Sequence, residues 1–460
     1  MLIAAVEDLR RLPIPNTVVL GVCTLWPLQL ASAPDISLFG IVNAALCAAA
    51  VFAGGALLFS RGLIGGGDVK LLTAATLWAG PGLTPALLIV TAVCLAVIQE
   101  MVARMGTITG KGLSDLIRER FGVAPTVWVM ILLFIANAAT TVAEFAGIAG
   151  ASQLLFGEFA RYIAIPIAAF FVWFLVLRGS FRVVERILLT LALVFISYIV
   201  SAFLAHPKWG DVVHHAVVPT FHASAPFLLI FITIVGTTIT PWMAFFQQSN
   251  VADKGLSPKD LWFERIDTYT GILALNVVAF FIIVATGATI YVHHVHVDPS
   301  DTSAFATIAL GLKPLAGQFA EQLFAIGLLT ASLMGASVLP LSTTYAITEA
   351  FGFERGIDKS FGEAPAFLTI YTTMIVLGAG IALFPDAPLA LITNLPNIVN
   401  GMLLPLLLPI LIVLASDKRI MGRYANSRLF NVASAAVFVF LSLVTLAFLA
   451  SIFFPGLFRG

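Results

Sequence analysis

The sequence predicts an all-α polytopic membrane protein, and three observations lead to that prediction. Hydrophobic residues make up 60% of the 460 residues and charged residues only 10%, and the mean hydropathy is +1.03. Soluble domains carry about 25% charged residues, so a water-soluble fold is excluded. Apolar runs of membrane-spanning length recur along the chain, and lysine and arginine are concentrated in alternate loops.

Ten apolar segments of spanning length follow residue 85. The first reads PALLIVTAVCLAVIQEMVARMG from Pro85, and the others lie near 126–148, 162–177, 187–205, 226–246, 269–292, 318–341, 367–384, 388–414 and 429–454. If the loop after Val102 is cytoplasmic, the loops on its side hold sixteen lysines and arginines, and the opposite loops hold three. Because cytoplasmic loops are enriched in Lys and Arg, this imbalance sets the orientation.

Charge and metal-ligand spacing give no indication of a nucleic-acid partner or a bound cofactor. The formal net charge is zero, and the three cysteines, Cys23, Cys47 and Cys94, lie in apolar segments without a metal or disulfide spacing. The segment HHVHVD at 293–298 is rich in histidine, but its spacing forms no standard site. We interpret it as a solvated loop.

The stretch GTTITPWMAFFQQS at 236–249 interrupts the apolar run at 226–246 with Gly236, three threonines and Pro241. A proline in a spanning helix removes one backbone hydrogen bond and frees a carbonyl. Hydrocarbon does not tolerate exposed polar backbone, so such a break occurs where protein or a water-filled cavity surrounds it. Discontinuous helices of this kind form ion and substrate sites in many secondary transporters. The alternative is a proline kink without a ligand.

Two acidic residues, Asp8 and Asp68, are separated by two apolar segments that return both to the same membrane face. Paired carboxylates can share a proton and activate water. The motifs DLRRLPIPN and GGGDVKL resemble the type IV prepilin peptidase family, in its short form, over residues 1–85. The resemblance implies that Asp8 and Asp68 are the catalytic pair of an aspartic endopeptidase. It covers about half of such an enzyme, so an inactive relic is the alternative.

Five phrases after residue 85 resemble the Nramp family of divalent-metal transporters. They are IQEMVARMGTITGKGL (98–113), NAATTVAEFAGIAGA (137–151), TPWMAFFQQS (240–249), LPLSTTYAITEAFGFERG (339–356) and NGMLLPLLLPIL (400–411). The resemblance implies a LeuT-like core of two inverted five-helix repeats within a domain at 86–460. It also implies a mid-membrane metal site where two broken helices face each other.

The residues at the break depart from the usual Nramp pattern of Met-Pro-His. Here the same positions read Thr240-Pro241-Trp242, which resembles the Nramp-related magnesium branch. Sulfur favours soft transition metals, whereas hydroxyl and carbonyl oxygens favour Mg²⁺ or Mn²⁺. The resemblance implies that Thr237, Thr240 and Asn397 contact the ion. Pro241, Trp242, Asn400 and Glu144 are then expected along the transport path.

Proton coupling is expected to be weak or absent. In the Nramp family it relies on an acid in the third helix and on the histidine after the proline. Those positions are Thr141 and Trp242 here, although Glu144 keeps a second acid of the third helix. We interpret Glu144 as lining the path or as a structural acid paired with a neighbour.

The family's first helix, with its main metal carboxylate, is absent from the sequence pattern. The segment 68–78 crosses in its place, with Asp68 at the cytoplasmic edge. A true fusion, a recombination product and a gene-model error all fit this pattern. The leading hypothesis is a divalent cation transporter of the bacterial inner membrane that lacks its first helix. An endopeptidase acting on prepilin and an inactive hybrid are the alternatives.

Overall fold

The structure, a computed structural model, describes residues 85–178, 196–207, 209–210, 212, 225–286, 304–309, 317–356, 359–384 and 389–454. Nearly all of these residues belong to one compact unit formed by Thr91–Pro207 and Ala223–Gly460. Asp8, Asp68, Cys23, Cys47 and the histidine-rich segment 293–298 lie outside the described residues.

The described part of the chain is helical throughout, without a strand. Its first helices are α1 (Pro85–Thr109), α2 (Leu113–Phe121), α3 (Val123–Phe156), α4 (Ala160–Arg178), α5 (Ile196–Leu204), α6 (Ala225–Thr238), α7 (Pro241–Asp253) and α8 (Leu261–Thr286). They are followed by α9 (Ala304–Ala309), α10 (Ala320–Phe351), α11 (Pro365–Ala382), α12 (Leu389–Ser416), α13 (Lys418–Met421) and α14 (Arg428–Phe453). Short 3₁₀ turns lie at Gly317–Phe319 and Gly422–Tyr424.

Eight of the described helices are long and apolar enough to cross a membrane. They are α1, α3, α4, α8, α10, α11, α12 and α14, and each lies on one of the ten predicted segments. The predicted segment at 226–246 is divided between α6 and α7, and the one at 187–205 is described only from Ile196. The prediction of an all-α polytopic membrane protein is therefore confirmed.

The two longest helices, α3 and α10, pack against each other in antiparallel fashion. Asn137 contacts Thr343 near one end of the pair, whereas a Cβ at Gly147 would meet Ser332 near the other. Small residues at a helix interface let the two backbones approach closely. Lipid gives little hydrophobic drive for helix association, so this close packing holds the two helices together.

An aromatic layer joins the α3–α10 pair to α4 and α11. Tyr345 and Phe367 meet edge to face, with ring centroids 5.0 Å apart. The hydroxyl of buried Tyr371 donates to the carbonyl of Val172 at 3.2 Å. Such aromatic pairs contribute roughly 0.5–1.5 kcal/mol beyond the area that they bury. Through these contacts α4 and α11 support α10 on one side.

Candidate functional site at the helix break

The break between α6 and α7 lies at Ile239 and Thr240. Ile239 still donates its N–H to the carbonyl of Val235 at 2.8 Å, but Thr240 has φ −101° and ψ 139°, which is extended backbone. The residue before a proline is disfavoured in the helical conformation, because the proline ring collides with its backbone. Pro241 is the first residue of α7. A backbone N–H at that position has no acceptor within the helix, so its absence in proline loses no hydrogen bond. The sequence therefore predicts the position of the break correctly.

Gly236 brings the end of α6 into backbone contact with α12. A Cβ at Gly236 would overlap the carbonyl of Asn397 and lie 2.6 Å from the N–H nitrogen of Gly401. In the opposite direction, a Cβ at Gly401 would lie 2.7 Å from the carbonyl oxygen of Ile232. Both positions therefore require glycine, and together they fix the break against the middle of α12.

Three buried side-chain oxygens near the break have no hydrogen-bond partner among the described residues. They are Oγ1 of Thr240, Oδ1 of Asn400 and Oδ1 of Asn137. Asn137 and Asn400 are completely buried, and Thr240 is 8% exposed. An unsatisfied buried acceptor costs about 1–3 kcal/mol, so its repeated occurrence in one region indicates a functional reason.

Hydrogen bonds show that the segments carrying these three oxygens meet one another and α10 around the break. Asn137 Nδ2 on α3 donates to Thr343 Oγ1 on α10 at 2.8 Å. Ser342, the residue that precedes Thr343 on α10, donates its hydroxyl to the carbonyl of Trp242 on α7 at 3.0 Å.

The remaining link joins α12 to α3, because Asn400 Nδ2 donates to Thr140 Oγ1 at 3.4 Å. Pro241 and Phe245 also line a small apolar cleft together with Leu133 of α3 and Leu407 of α12. Through these contacts α3, α7, α10 and α12 surround the break.

The predicted ion-contacting residues lie in different settings. Thr240 is buried at the break, and Asn397 is half-buried with its backbone carbonyl against Gly236. The side chain of Thr237 is exposed at the protein surface, so the prediction for this residue depends on its backbone carbonyl, which Pro241 cannot bond. Trp242 is half-buried, and its ring is tilted by 56° from that of Phe246, with ring centroids 6.5 Å apart.

Glu144 lies at the close contact between α3 and α10. A Cβ at Gly335 would overlap the carboxyl group of Glu144, and Ser332 lies within hydrogen-bonding reach of it. Of the two interpretations of Glu144, this placement favours the structural one. The carboxyl group fills the space that Gly335 leaves, next to Ser332.

Asn137 is a candidate site residue that the sequence reasoning missed. It belongs to a polar stripe on α3 that also contains Thr140, Thr141 and Glu144, at the spacing of one helix face. The hydroxyls of Thr140 and Thr141 donate to their own helix, at 2.8 and 2.7 Å, so they need no other acceptor. The stripe is visible in the sequence, but which of its members keeps an unpaired oxygen depends on the packing of α10.

The chemistry of this region is that of neutral oxygen ligands. No group of three or more His, Cys, Asp or Glu side chains in the described part of the chain could hold a metal ion. Hydroxyl, amide and backbone carbonyl oxygens suit hard cations such as Mg²⁺ and Mn²⁺. A dication also needs an anionic ligand to offset its desolvation, and the segment containing Asp68 lies outside the described residues.

Comparison with known families gives two matches along the chain. The model of the Nramp family, described as natural resistance-associated macrophage protein-like, matches residues 56–451. The model of the type IV leader peptidase family matches residues 1–99. Both resemblances seen in the sequence are thus confirmed. The two matches overlap at 56–99, and the domain boundary at residue 85 remains a prediction.

Curated relatives and solved structures agree with the first match. The divalent metal cation transporter MntH of Bacillus subtilis is 27% identical over 345 residues, which is 73% of this chain and 77% of the relative. MntH of Verminephrobacter eiseniae is 28% identical over 389 residues, covering 82% and 83% of the two chains.

Crystal structures of the manganese transporter of Eremococcus coleocola share the fold. A mutant of that protein aligns with a TM-score of 0.59 at 18% identity and covers 80% of this chain and 81% of its own. Its complex with an aromatic bis-isothiourea substituted compound aligns with a TM-score of 0.61 at 16% identity, covering 92% and 90%. The expected transporter fold is therefore confirmed.

Proposed function

The chain belongs to the Nramp family of multi-pass membrane proteins, and we propose that it carries divalent metal cations across the bacterial inner membrane through the break between α6 and α7. The curated relatives are divalent metal cation transporters that match about three quarters or more of the chain. Within this chain, the observation that carries the proposal is the buried hydroxyl of Thr240 at the break, which has no partner among the described residues.

Thr240, Asn400 and Asn137 would supply side-chain oxygens to the passing ion. Their three unpaired oxygens lie on helices that hydrogen bonds hold around the break. The backbone carbonyl of Thr237 completes the set, because Pro241 leaves it without its helical donor. An ion that exchanges water for these oxygens relieves their desolvation cost.

The ion class follows from the ligand atoms. The oxygens at the break favour Mn²⁺ and Mg²⁺ over soft ions, because no sulfur ligand stands at Thr240. We therefore expect uptake of Mn²⁺ and Mg²⁺ with little discrimination against Mg²⁺, and weak uptake of Cd²⁺. Mn²⁺ is the ion named for the structurally similar transporter of Eremococcus coleocola.

Proton coupling should be weak. Thr141, which stands where an acid is expected, donates its hydroxyl to the carbonyl of Asn137, and Trp242 has no titratable group. The remaining acid, Glu144, is held between Ser332 and Gly335. Metal entry should therefore proceed without acidification of the vesicle interior, and a pH-sensitive dye trapped inside proteoliposomes measures this directly.

The test of the proposal is ion uptake into proteoliposomes that contain the full chain. Uptake of Mn²⁺ and Mg²⁺ should exceed that of empty vesicles and should fall about tenfold or more in Asn400→Leu, which keeps the branched arrangement of heavy atoms and removes the ligand oxygen. The matched control is Asn276→Leu, because Asn276 on α8 also has a buried Oδ1 without a partner among the described residues, whereas its Nδ2 donates to the carbonyl of Ile272 on its own helix at 2.8 Å. Uptake equal to that of empty vesicles would refute the proposal.

A second candidate function, aspartic endopeptidase activity on prepilin, rests on the leader peptidase match at residues 1–99. Asp8 and Asp68 would share a proton and activate water for attack on the peptide bond. Cleavage of a prepilin leader by the full chain, lost in Asp68→Asn, is the expected result if this segment is active. If the full chain leaves the leader intact, its N-terminal segment has no endopeptidase activity, as in an inactive hybrid.

A further inference from the structure

Glu349, near the last turn of α10, is a buried acid that the proposed site does not use. Its side chain has no solvent exposure, and neither of its carboxylate oxygens has a hydrogen-bond partner among the described residues. A Cβ at Gly112 would overlap the carboxylate, so the loop before α2 lies directly on it. Acids inside a spanning segment are costly and mark ion paths more often than structural positions.

A buried amide side chain of α7 with one unsatisfied oxygen lies next to the loop that covers this acid. Gln248 is completely buried, and its Nε2 donates to the carbonyl of Lys111 at 3.0 Å, which places its amide group next to Gly112. Its Oε1 has no partner in the described part of the chain. Ser249 lies beside Glu349, but its hydroxyl donates to the carbonyl of Phe245 at 2.9 Å and so leaves the carboxylate unsatisfied.

Two further carboxylates and one guanidinium act on Glu349. Asp115 and Asp253 both act on the carboxylate, against the positive charge of Arg355. Arg355 bonds Asp115 at 3.1 Å and lies farther from Glu349, at 3.7 Å. The nearby guanidinium of Arg118 is bonded to the carbonyl of Ala350 at 2.9 Å.

The charge state of Arg355 is secure. A guanidinium keeps its proton in proteins, and Asp115 accepts a hydrogen bond from it at 3.1 Å. Asp115 holds the guanidinium beside Glu349 as a tethered counter-charge. A mobile cation that approached Glu349 would compete with it.

The length of α7 between Thr240 and Gln248 gives the distance from the break to the groups around Glu349. Gln248 lies eight residues after Thr240, and the chain between them is helical from Pro241 onward. Eight residues of helix span about 12 Å. The lysines and arginines of the adjacent loops place this end of α7 and α10 on the cytoplasmic side.

We propose that Glu349 and Gln248 form a second, weaker divalent-cation site, occupied by the ion after it leaves the break toward the cytoplasm. Glu349 supplies the anionic oxygen that the break lacks among the described residues, and Gln248 supplies a neutral one. Arg355 neutralises the carboxylate when the ion is absent and is displaced from it when the ion arrives. This inference rests on the proposed transport of divalent cations.

The experiment is a titration of the full chain in lipid nanodiscs with Mn²⁺, in which electron paramagnetic resonance measures the free ion. The wild type should bind two Mn²⁺, one more weakly than the other. Glu349→Gln should lose the weaker site and keep the tighter one. The control Glu354→Gln should keep both, because Glu354 is exposed on the following loop.

Arg355→Gln separates a cation site from a structural ion pair. Removal of the competing guanidinium should tighten the weaker site about tenfold, whereas loss of a purely structural pair would weaken binding or folding. Binding of two Mn²⁺ by Glu349→Gln with unchanged affinities, or no tightening in Arg355→Gln, overturns the proposal.

The same titration also tests the ion site at the break separately from the site at Glu349. Thr240→Val should remove only the tighter Mn²⁺. If it removes neither, the proposed function fails at the break, while loss of the weaker ion in Glu349→Gln still supports the second site.

Discussion

Two proline-bearing regions of the molecule behave in opposite ways. Pro241 separates α6 from α7, whereas α12 contains Pro396, Pro405 and Pro409 and runs unbroken from Leu389 to Ser416. Each proline removes one helical hydrogen bond, so the missing bond alone does not decide whether the helix breaks. The surroundings decide it.

The packing around α12 explains why it stays continuous. It contacts α3, α6 and α14 along its length, and extended backbone in its middle would separate it from these partners. At Thr240 the chain instead leaves the helix, and the hydroxyl at this position has no partner among the described residues. A break that leaves a polar group unsatisfied costs stability, and a ligand at that position would offset the cost.

The largest expected effect comes from Gly236→Val, which tests whether the two regions must touch. The added side chain would collide with the backbone of α12 at Asn397, and backbone cannot move aside as a flexible side chain can. We expect the free energy of unfolding to fall by about 1–3 kcal/mol, the usual cost of overpacking, and metal uptake to be lost.

Thermal unfolding in detergent and proteoliposome uptake measure these two effects. Gly271→Val is the matched control, because a Cβ at Gly271 on α8 meets nothing within 4 Å. Equal melting temperatures for the two variants would contradict the contact.

Thr240→Val should reduce uptake about tenfold or more while leaving the protein as stable as before or more stable. Valine keeps the shape and removes a buried hydroxyl whose desolvation costs about 1–3 kcal/mol. Opposite changes in activity and stability identify a residue kept for function. Thr445→Val on α14 is the control, because its hydroxyl donates to the carbonyl of Leu441 at 2.9 Å.

A smaller effect is expected from exchanging prolines for alanine in the two regions. Pro241→Ala restores an N–H that can bond the carbonyl of Thr237, so helix can extend across the break and uptake should fall severalfold. Pro405→Ala restores the bond to Gly401 inside a helix that is already continuous, and uptake should stay near wild type. Equal losses of uptake in both variants would show that the break has no special role.

The smallest effect concerns the cytoplasmic end of α12. Asp417 caps α13 by accepting the N–H of Arg419 at 2.9 Å, and this bond and the Arg419 side chain lower the pKa of the carboxyl group. Its stabilising contribution is therefore present above the carboxyl's unfolded pKa and is lost as the pH falls through the folded pKa. Asp417→Asn should melt slightly below wild type at neutral pH, and the difference should shrink in acid.

Much of this molecule is predictable from its residues alone. The apolar segments predicted the spans because hydrocarbon accepts only helices whose backbone bonds are satisfied internally. The break was predictable because Pro241 restricts the residue before it. The family resemblance followed from phrases such as TPWMAFFQQS, which keep their order along the chain.

The class of protein, the spans and the position of the break thus follow from the amino-acid sequence, since these depend on local composition and backbone chemistry. Which polar groups are left without partners depends instead on the packing of the helices. Asn137, Asn400 and Glu349 look like ordinary polar residues in the sequence, and their significance arises from neighbours more than a hundred residues away. Whether a buried oxygen is satisfied depends on which helix packs against it, and that is a property of the folded chain.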